Sequence, residues 1–160
     1  MARRKQPRFV VQRHRASRLH YDFRLEVGGV LVSWAVPKGP TLDPSLRRAA
    51  FAVEDHDLDY IDFEGVIAEG HYGAGDVIVW DTGTWEPVET DDPAAALEHG
   101  ELHFDLAGEK LRGRFALVKT SRSWLLLHKK DAFAVPGWDP EEHLESVLSG
   151  RTNEQVAQSA

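Results

Sequence analysis

Residues 19–27 read Leu-His-Tyr-Asp-Phe-Arg-Leu-Glu-Val, and every second side chain in this stretch is apolar. Such a period of two predicts a β-strand with one apolar and one polar face. Gly28 and Gly29 follow and supply the positive φ angles that a tight hairpin turn needs. Residues 30–36, Val-Leu-Val-Ser-Trp-Ala-Val, return as the partner strand, which Pro37 ends. The fold is therefore predicted to start with an antiparallel hairpin.

Short strand-like runs recur along the rest of the chain, each bounded by Gly, Pro or polar residues. They cover 49–54, 60–67, 76–81, 84–86, 101–106, 114–119 and 123–129, with a turn predicted at Thr82-Gly83. This rhythm is typical of an antiparallel sandwich or barrel. Aromatic residues within the runs are predicted to be core: Trp34, Trp80, Trp85, Phe115 and Trp124.

Helices are predicted to be few and short. Residues 93–99 begin with Pro and are followed by Gly100, and residues 140–148 also begin with Pro. Proline at the start and glycine after the end are typical of helix boundaries. Beyond Gly150 the chain is polar, and we expect it to fray.

Composition excludes several classes of protein. The chain has 160 residues, 42% of them hydrophobic and 28% charged, which is typical of a soluble single domain. It has no cysteine, so a metal site must use histidine and carboxylates. The early apolar run, Phe9–Val11, is too short for a signal peptide, and we expect a cytoplasmic protein with no membrane partner.

The charge is segregated along the sequence. Residues 1–24 contain eight Arg or Lys and one Asp, or +7, and the remaining residues contain 11 basic and 25 acidic residues, or −14, which gives the net charge of −7. A basic segment of this kind can bind a short stretch of nucleic-acid backbone. The alternative is a solvated N-terminal arm, which we place at residues 1–8.

The polar face of the first hairpin carries a candidate metal site. His20, Asp22 and Arg24 alternate along one strand, and His14 precedes them on the neighbouring segment. Two imidazoles and a carboxylate can hold a divalent transition ion and leave positions open for substrate. Arg24 would add a fixed cation beside that ion, which suits an anionic substrate. The alternative is the ordinary solvent face of a half-buried strand.

A second polar cluster lies at residues 54–60, Glu-Asp-His-Asp-Leu-Asp-Tyr. Four carboxylates surround His56 and Tyr60 in sequence, and we expect them to raise the pKa of His56 so that it binds or protonates an oxyanion. The alternative is an acidic surface turn.

Residues 70–75, Gly-His-Tyr-Gly-Ala-Gly, lack the lysine and helix of a phosphate loop and are predicted to be a bend. Four histidines without partners are predicted to be structural: His99, His103, His128 and His143.

These blocks together resemble a known family. The matching motifs are Phe9-Val-Val-Gln-Arg-His14, Ser17-Arg-Leu-His-Tyr-Asp-Phe-Arg-Leu-Glu26, Ser33-Trp-Ala-Val-Pro-Lys-Gly-Pro40, Val53-Glu-Asp-His56, Leu58-Asp-Tyr60, Phe63-Glu-Gly65, and Gly73-Ala-Gly75 followed by residues 77–81. They are similar to the 3′-phosphoesterase domain that accompanies the ATP-dependent DNA ligase of bacterial non-homologous end joining. The similarity runs from about Phe9 to Phe133, and residues 134–160 are predicted to be a tail with a short helix.

The resemblance implies an all-β fold, a closed antiparallel β-barrel of about eight strands with one or two short flanking helices. It also implies a manganese enzyme that removes a 3′-ribonucleoside from DNA and hydrolyses the remaining 3′-phosphate to a hydroxyl. By position, His14, His20 and Asp22 match metal ligands. Residues that match the phosphate and active-site positions are Arg24, Lys38, Arg48, His56 and Tyr60, with Gln12 and Glu54 in less defined roles.

Two departures from the family pattern affect the expected activity. Family members fused to the ligase usually carry a longer N-terminal segment whose acidic and Arg residues contribute to removal of the ribonucleoside, whereas only residues 1–8 precede the first strand here. We therefore expect release of a 3′-phosphate to exceed removal of a 3′-ribonucleoside. His71 stands where the family usually has another polar residue. The expected partners are DNA 3′ ends, with a separate ligase, polymerase or Ku acting in trans.

Two other functions fit parts of the sequence. His20-Tyr-Asp22 also matches the His-x-Asp motif of iron/2-oxoglutarate oxygenases, with His71 or His103 as third ligand and Arg112 or Arg114 binding the cosubstrate. A catalytically inactive module that binds DNA ends is the other alternative, and only turnover separates it from an enzyme.

Overall fold

The computed structural model describes residues 6–71 and 73–159. Nine strands dominate this part of the chain: β1 (Arg8–Arg15), β2 (Leu19–Val27), β3 (Val30–Val36), β4 (Arg47–Asp57), β5 (Gly65–Ile67), β6 (Gly75–Val88), β7 (Glu101–Gly108), β8 (Arg112–Lys119) and β9 (Trp124–His128). The helices are α1 (Pro93–His99), α2 (Asn153–Gln158) and the 3₁₀ helices Leu58–Asp62 and Pro140–Glu142.

Eight of these strands form a closed barrel. The strand order is β1-β2-β3-β4-β9-β8-β7-β6, all neighbours are antiparallel, and β1 pairs with β6 to close the sheet. The short β5 pairs with β6 outside this ring. Closure gives each of the eight strands two neighbours, although residues 51–57 of β4 extend beyond the pairing with β9 and have only β3 beside them. The predicted closed eight-stranded barrel with short helices is confirmed.

The hairpin of β2 and β3 lies as its sequence predicts. Gly28 and Gly29 have φ angles of 61° and 88° and form the turn. The apolar face of β2 packs in the barrel core through Tyr21, Phe23 and Leu25, together with all five aromatic residues predicted to be core. His20, Asp22 and Arg24 therefore lie on the outer surface of the barrel, yet Asp22 and Arg24 are buried.

Two predictions about strands were wrong. Residues 60–67 were expected to form one strand, but residues 58–62 form a 3₁₀ helix and only Gly65–Ile67 are extended. Thr82-Gly83 was expected to be a turn, but β6 runs through it. A Cβ on Gly83 would lie 2.0 Å from the carbonyl oxygen of Ala107 on β7, so this glycine permits close strand approach instead of a reversal.

The C-terminal predictions also need correction. The helix expected at 140–148 is a single 3₁₀ turn, after which the Ser146 hydroxyl accepts hydrogen bonds from the backbone N–H groups of Leu148 and Ser149. A hydroxyl that binds nearby backbone in this way competes with helix formation. The end expected to fray forms α2 instead, because Thr152 and Gln155 form a capping box.

The C-terminal segment is attached to the barrel. Arg13 at one end of β1 donates from Nη2 to Glu141 Oε1 at 2.7 Å and from Nη1 to Asn153 Oδ1 at 2.9 Å. Asn153 is 1% exposed and donates to the carbonyl oxygens of Arg13 and Asp76. Residues 141 and 153 therefore anchor this segment to β1 and β6. The division into an arm, a domain to residue 133 and a tail stays a prediction.

The predicted basic arm falls mostly outside the described residues, since Arg3, Arg4 and Lys5 precede residue 6. Among the described residues, no helix is long and apolar enough to cross a membrane.

Candidate active site

A second apolar layer covers the outer surface of the barrel and frames the site. Val10, Leu31 and Val79 point outward from three strands, and Ile61 of the first 3₁₀ helix packs on them. Because these apolar side chains hold the 3₁₀ helix against β1 and β3, the polar residues further along the same strands are shielded from solvent. This arrangement explains how a polar face outside the core becomes a buried polar site.

His14, His20 and Asp22 converge at the end of the β1–β2 hairpin. His14 is directly opposite His20 in the register, and ligand atoms from all three residues lie within 4.8 Å of one another. His20 Nε2 is 3.3 Å and His14 Nδ1 is 3.7 Å from Asp22 Oδ2. The Nδ1 atom of His20 lies 3.0 Å from the carbonyl oxygen of Arg18, which favours a proton on Nδ1 and a lone pair on Nε2.

The electrostatics of the cluster keep Asp22 ionised. Burial alone would raise the pKa of Asp22, but the close imidazoles of His14 and His20 and the charge of Arg24 hold it well below its usual range. The negative charge of Asp22, whose Oδ2 is 3.3 Å from Nε2, raises the pKa of His20, although burial opposes that shift. A buried carboxylate between two imidazoles has the donor set of a divalent transition ion.

The three residues fit a metal ion on a second observation. His14 Nε2 is buried and has no hydrogen-bond partner. An unpartnered buried imidazole nitrogen is costly unless another group binds it. Nitrogen and oxygen donors around one transition ion lie roughly 3–4 Å apart, so the cluster needs little adjustment to hold one.

Arg24 links the metal-type cluster to the rest of the site. It is 3% exposed, donates from Nε to Gln12 Oε1 at 2.7 Å and from Nη1 to the Ser33 hydroxyl at 2.9 Å. Its Nη2 is 3.4 Å from Asp22 Oδ2. Burial lowers the pKa of Arg24, but a guanidinium remains protonated in proteins. Arg24 is thus a fixed buried cation beside Asp22.

His56 reaches the same face through an irregularity in β4. Ser33 pairs with Val53 and Leu31 pairs with His56, so β4 has one more residue than β3 between these pairs. Such a β-bulge changes the face on which the following side chains lie. Without it, His56 would point away from Val53, and with it both line the site.

The predicted pKa of His56 was wrong in direction. Burial and the positive charge of Arg24 lower the pKa of His56, and they outweigh the neighbouring acidic groups. Arg24 Nη1 lies 3.0 Å from His56 Nδ1. The carbonyl oxygen of Glu54 lies 3.2 Å from the same Nδ1, but Arg24 is closer and a guanidinium can only donate. We therefore assign Nδ1 as the acceptor and place the proton of the neutral ring on Nε2. His56 is therefore a neutral hydrogen-bond donor.

Tyr60 and Gln12 complete this wall. The guanidinium carbon of Arg24 is 5.3 Å from the centre of the Tyr60 ring, and the rings of Tyr60 and His56 are 4.8 Å apart. Gln12 is fully buried and donates to the carbonyl oxygens of Tyr60 and Phe63. Gln12 therefore ties the end of the 3₁₀ helix to Arg24, which defines a role that its sequence position left open.

One open cavity of about 730 Å³ brings these groups together. Seven of the predicted site residues line it: His14, His20, Asp22, Arg24, Glu54, His56 and Tyr60. His71 lines it too. Lys38 is exposed in the turn after β3 and Arg48 is half-buried on β4, and neither is part of the lining. Their roles in binding phosphate stay predictions.

Sequence reasoning missed Ser33, Ala35 and Val53. Ser33 is 1% exposed, accepts from Arg24 and donates to the carbonyl oxygen of Leu31. Ala35 and Val53 line the cavity. A serine at an alternate position of the apolar strand 30–36 was the available signal for Ser33. Nothing comparable distinguished the two apolar residues.

The alternative oxygenase site is not assembled. His103, Arg112 and Arg114 line a separate depression on β7 and β8, and His103 contacts Glu101 at 2.7 Å. The residue that joins His20 and Asp22 is His14. His71, the other proposed third ligand, lines the cavity with His20 and Asp22 but is not part of their ligand cluster, and the proposed cosubstrate residues lie in the separate depression.

Comparison with known proteins agrees with this geometry. Residues 12–119 match the family model described as the DNA Ligase D 3′-phosphoesterase domain. The chain belongs to that family. It is 57% identical over 153 residues to the multifunctional non-homologous end joining protein LigD of Pseudomonas aeruginosa, which covers 91% of this chain and 18% of that protein.

Mycobacterial relatives match a shorter stretch. The LigD protein of Mycolicibacterium smegmatis is 47% identical over 131 residues, covering 78% of this chain and 17% of that protein. The non-homologous end joining DNA repair protein LigD of Mycobacterium tuberculosis is 48% identical over 122 residues, covering 76% and 16%. The chain spans less than a fifth of the length of these relatives. The similarity therefore concerns their 3′-phosphoesterase domain.

Proposed function

We propose that this phosphoesterase domain hydrolyses the 3′-phosphate of DNA ends to a 3′-hydroxyl with the help of a divalent transition ion, manganese being the expected one. The observation that carries the proposal is that one cavity joins His14, His20 and Asp22 to the cation Arg24 and the donor His56. A donor set for a metal beside a buried guanidinium suits a phosphate better than a neutral substrate.

The metal would be held by His14, His20 and Asp22. When bound, such an ion neutralises phosphoryl charge and lowers the pKa of a bound water. The chain supplies the rest of the electrostatics. Arg24 is fixed by Gln12 and Ser33, so its positive charge needs no rearrangement when phosphate arrives, which is the condition for efficient transition-state stabilisation.

His56 has two candidate roles, as a hydrogen-bond donor to the phosphate or as a proton donor to the departing oxygen. Its lowered pKa and the bond that Nδ1 accepts from Arg24 favour the first role, with Nε2–H as the donor. Burial raises the pKa of Tyr60, so its hydroxyl stays protonated and offers a second neutral donor. Both groups would hold phosphoryl oxygens against Arg24.

The biological setting follows from the relatives, whose names place them in non-homologous end joining. We expect the substrate to be a DNA primer–template or duplex break, and a ligase, polymerase or Ku to act with the domain. Removal of a 3′-ribonucleoside is a further expected activity of the same cavity.

The test is incubation of the protein with duplex primer–templates that end in a 3′-phosphate or a 3′-ribonucleotide, with manganese or with a chelator. We expect manganese-dependent release of phosphate, abolished by His20→Ala. His103→Ala is the matched control, since His103 lies outside the cavity. Full activity of the wild type in chelator would contradict the metal assignment. If the protein binds DNA ends but shows no turnover with each of several divalent ions tested, the result would favour an inactive end-binding module.

A further inference from the structure

Two large apolar side chains on β4 are exposed next to the cavity. Phe51 is 45% and Val53 is 39% exposed, and neither belongs to the two core clusters. Alternation along β4 places both on the outer surface, on the face that also carries Arg47. Contiguous exposed apolar surface bordered by polar residues is typical of a surface that binds a ligand or partner. Phe51, Val53 and the half-buried Ala35 are called the apolar patch below.

The strand register places the apolar patch beside the phosphate site. Asp22 pairs with Ala35, and Ala35 pairs with Phe51, so the three residues form one row across β2, β3 and β4. Neighbouring strands are about 4.8 Å apart, which puts the backbone of Phe51 on the order of 10 Å from that of Asp22. That separation is comparable with the size of one nucleotide.

A second row runs parallel to the first. Arg24 pairs with Ser33, and Ser33 pairs with Val53. Val53 and Ala35 line the cavity themselves, so the apolar patch is continuous with it. If the phosphate of a ligand contacts Arg24, the part of the ligand adjacent to that phosphate would therefore contact the apolar patch.

We propose that the apolar patch binds the 3′-terminal nucleobase of the DNA, with Phe51 as the stacking residue; the inference rests on the proposed function. A 3′-terminal nucleotide carries a phosphate and, next to it, a flat aromatic base. The protein has a matching arrangement, a charged cavity for the phosphate and the aromatic side chain of Phe51 beside it. Stacking on an aromatic ring accepts every base, as an end-processing enzyme requires. Exposed Arg47, further along the same face, would meet the backbone phosphates.

This assignment predicts how the enzyme selects substrates. A terminal nucleotide with a base should be preferred to an abasic one, purines should bind at least as well as pyrimidines, and base identity should matter little otherwise. Specificity then comes from Phe51, while His14, His20 and Asp22 serve the phosphate whatever base is attached.

The test compares two duplexes that end in a 3′-phosphate, one with a normal terminal nucleotide and one with a terminal tetrahydrofuran abasic residue. Phe51→Ala should lower kcat/KM on the normal end about tenfold, the size of a lost base stack, and leave the abasic end unchanged. Phe51→Trp should restore the preference, and Phe51→Leu should not. Phe133→Ala is the matched control, because Phe133 is 49% exposed outside the cavity.

A binding measurement separates this proposal from the proposed function. In Phe51→Trp, the added indole should be quenched by a normal DNA end and much less by the abasic end, with or without turnover. Absence of phosphate release by the wild type would refute the function and leave this readout intact. Equal losses by Phe51→Ala on both ends, or no loss on either, would overturn the stacking role and point to a protein partner on the patch.

Discussion

Arg24 Nη1 lies 3.0 Å from His56 Nδ1, although the two residues are 32 positions apart in the sequence. The contact favours the His56 tautomer with its proton on Nε2, and burial together with the charge of Arg24 lowers the pKa of the ring. Arg24 cannot accept a hydrogen bond, so protonation of His56 at Nδ1 would place two positive charges together without a bond between them. The relationship explains why acidic neighbours in sequence do not raise the pKa of this histidine.

The first prediction concerns the titration of His56. Its pKa should lie below 6.5 in the folded protein, and Arg24→Met should raise it, because the charge of Arg24 is removed while burial remains. Two-dimensional NMR of the metal-free protein measures both values. Arg122→Met, at an exposed position, is the control. An unchanged His56 pKa in Arg24→Met would mean that burial alone sets it.

The same shift has a consequence for stability. The unfolded chain binds a proton to His56 at a higher pH than the folded protein does. Between the lowered folded pKa and 6.5, the unfolded state therefore binds more protons, and the contribution of His56 to stability falls as the pH falls through this window. Arg24→Met should raise the folded pKa of His56 toward 6.5 and so narrow the pH range over which His56 affects stability.

The second prediction concerns the metal. Asp22→Asn keeps the shape of the side chain and removes its charge, and we expect it to weaken manganese binding at least about 100-fold while the protein stays folded. Calorimetry or electron paramagnetic resonance measures the affinity. Binding should also weaken toward acid pH, starting above 6.5, because the pKa of His20 is raised and its ring must be neutral to bind. Manganese bound by Asp22→Asn as tightly as by the wild type would place the ion elsewhere.

The fold and most of the site could be predicted from local pattern. Alternation in residues 19–27 places His20, Asp22 and Arg24 on one face, and the hairpin follows from Gly28 and Gly29. These features depend on neighbouring residues alone. His14 was placed in the site by its position on the preceding segment, and the family motifs added Gln12.

Other features depend on contacts between distant residues. The bulge that turns His56 toward Arg24 is a property of the β3–β4 register, and no residue within 54–57 predicts it from sequence. Gly83 was predicted to lie in a turn. A glycine is needed there because the carbonyl oxygen of Ala107 approaches it closely, and Ala107 lies on another strand that local sequence does not reveal. The Thr152–Gln155 capping box was visible in the sequence and was overlooked.

The third prediction separates Arg24 from general electrostatic attraction. Arg24→Ala should lower kcat at least about 100-fold at any salt concentration, since it removes a preorganised charge next to the reacting phosphate. Neutralising Arg3, Arg4 and Lys5 should weaken DNA binding, and low salt should restore it. Phosphate release measured across a salt series distinguishes the two. If low salt restored the activity of Arg24→Ala, Arg24 would act only by attracting the DNA backbone phosphates, as the N-terminal basic residues are expected to do.

The last prediction concerns the attachment of the C-terminal segment. Glu141 accepts hydrogen bonds from Arg13 and from the Tyr21 hydroxyl. Burial would raise the pKa of Glu141, but these bonds hold it below the ordinary value of 4.5. A carboxylate with a lowered folded pKa stabilises the protein above the unfolded pKa, and this contribution is lost as the pH falls through the folded value.

Glu141→Gln should therefore lower the Tm by a few degrees between pH 6 and 8, because Gln cannot make the charged pair with Arg13. The deficit relative to the wild type should shrink as the pH falls below about 4.5, where the wild-type carboxyl also loses its charge. Glu142→Gln, at the exposed neighbouring position, controls for the change in net charge. Thermal unfolding measured by circular dichroism at each pH provides the comparison. A deficit that is the same at every pH would show that Glu141 acts through its shape and neutral hydrogen bonds and that its charge contributes nothing to holding residues 139–158 on the barrel.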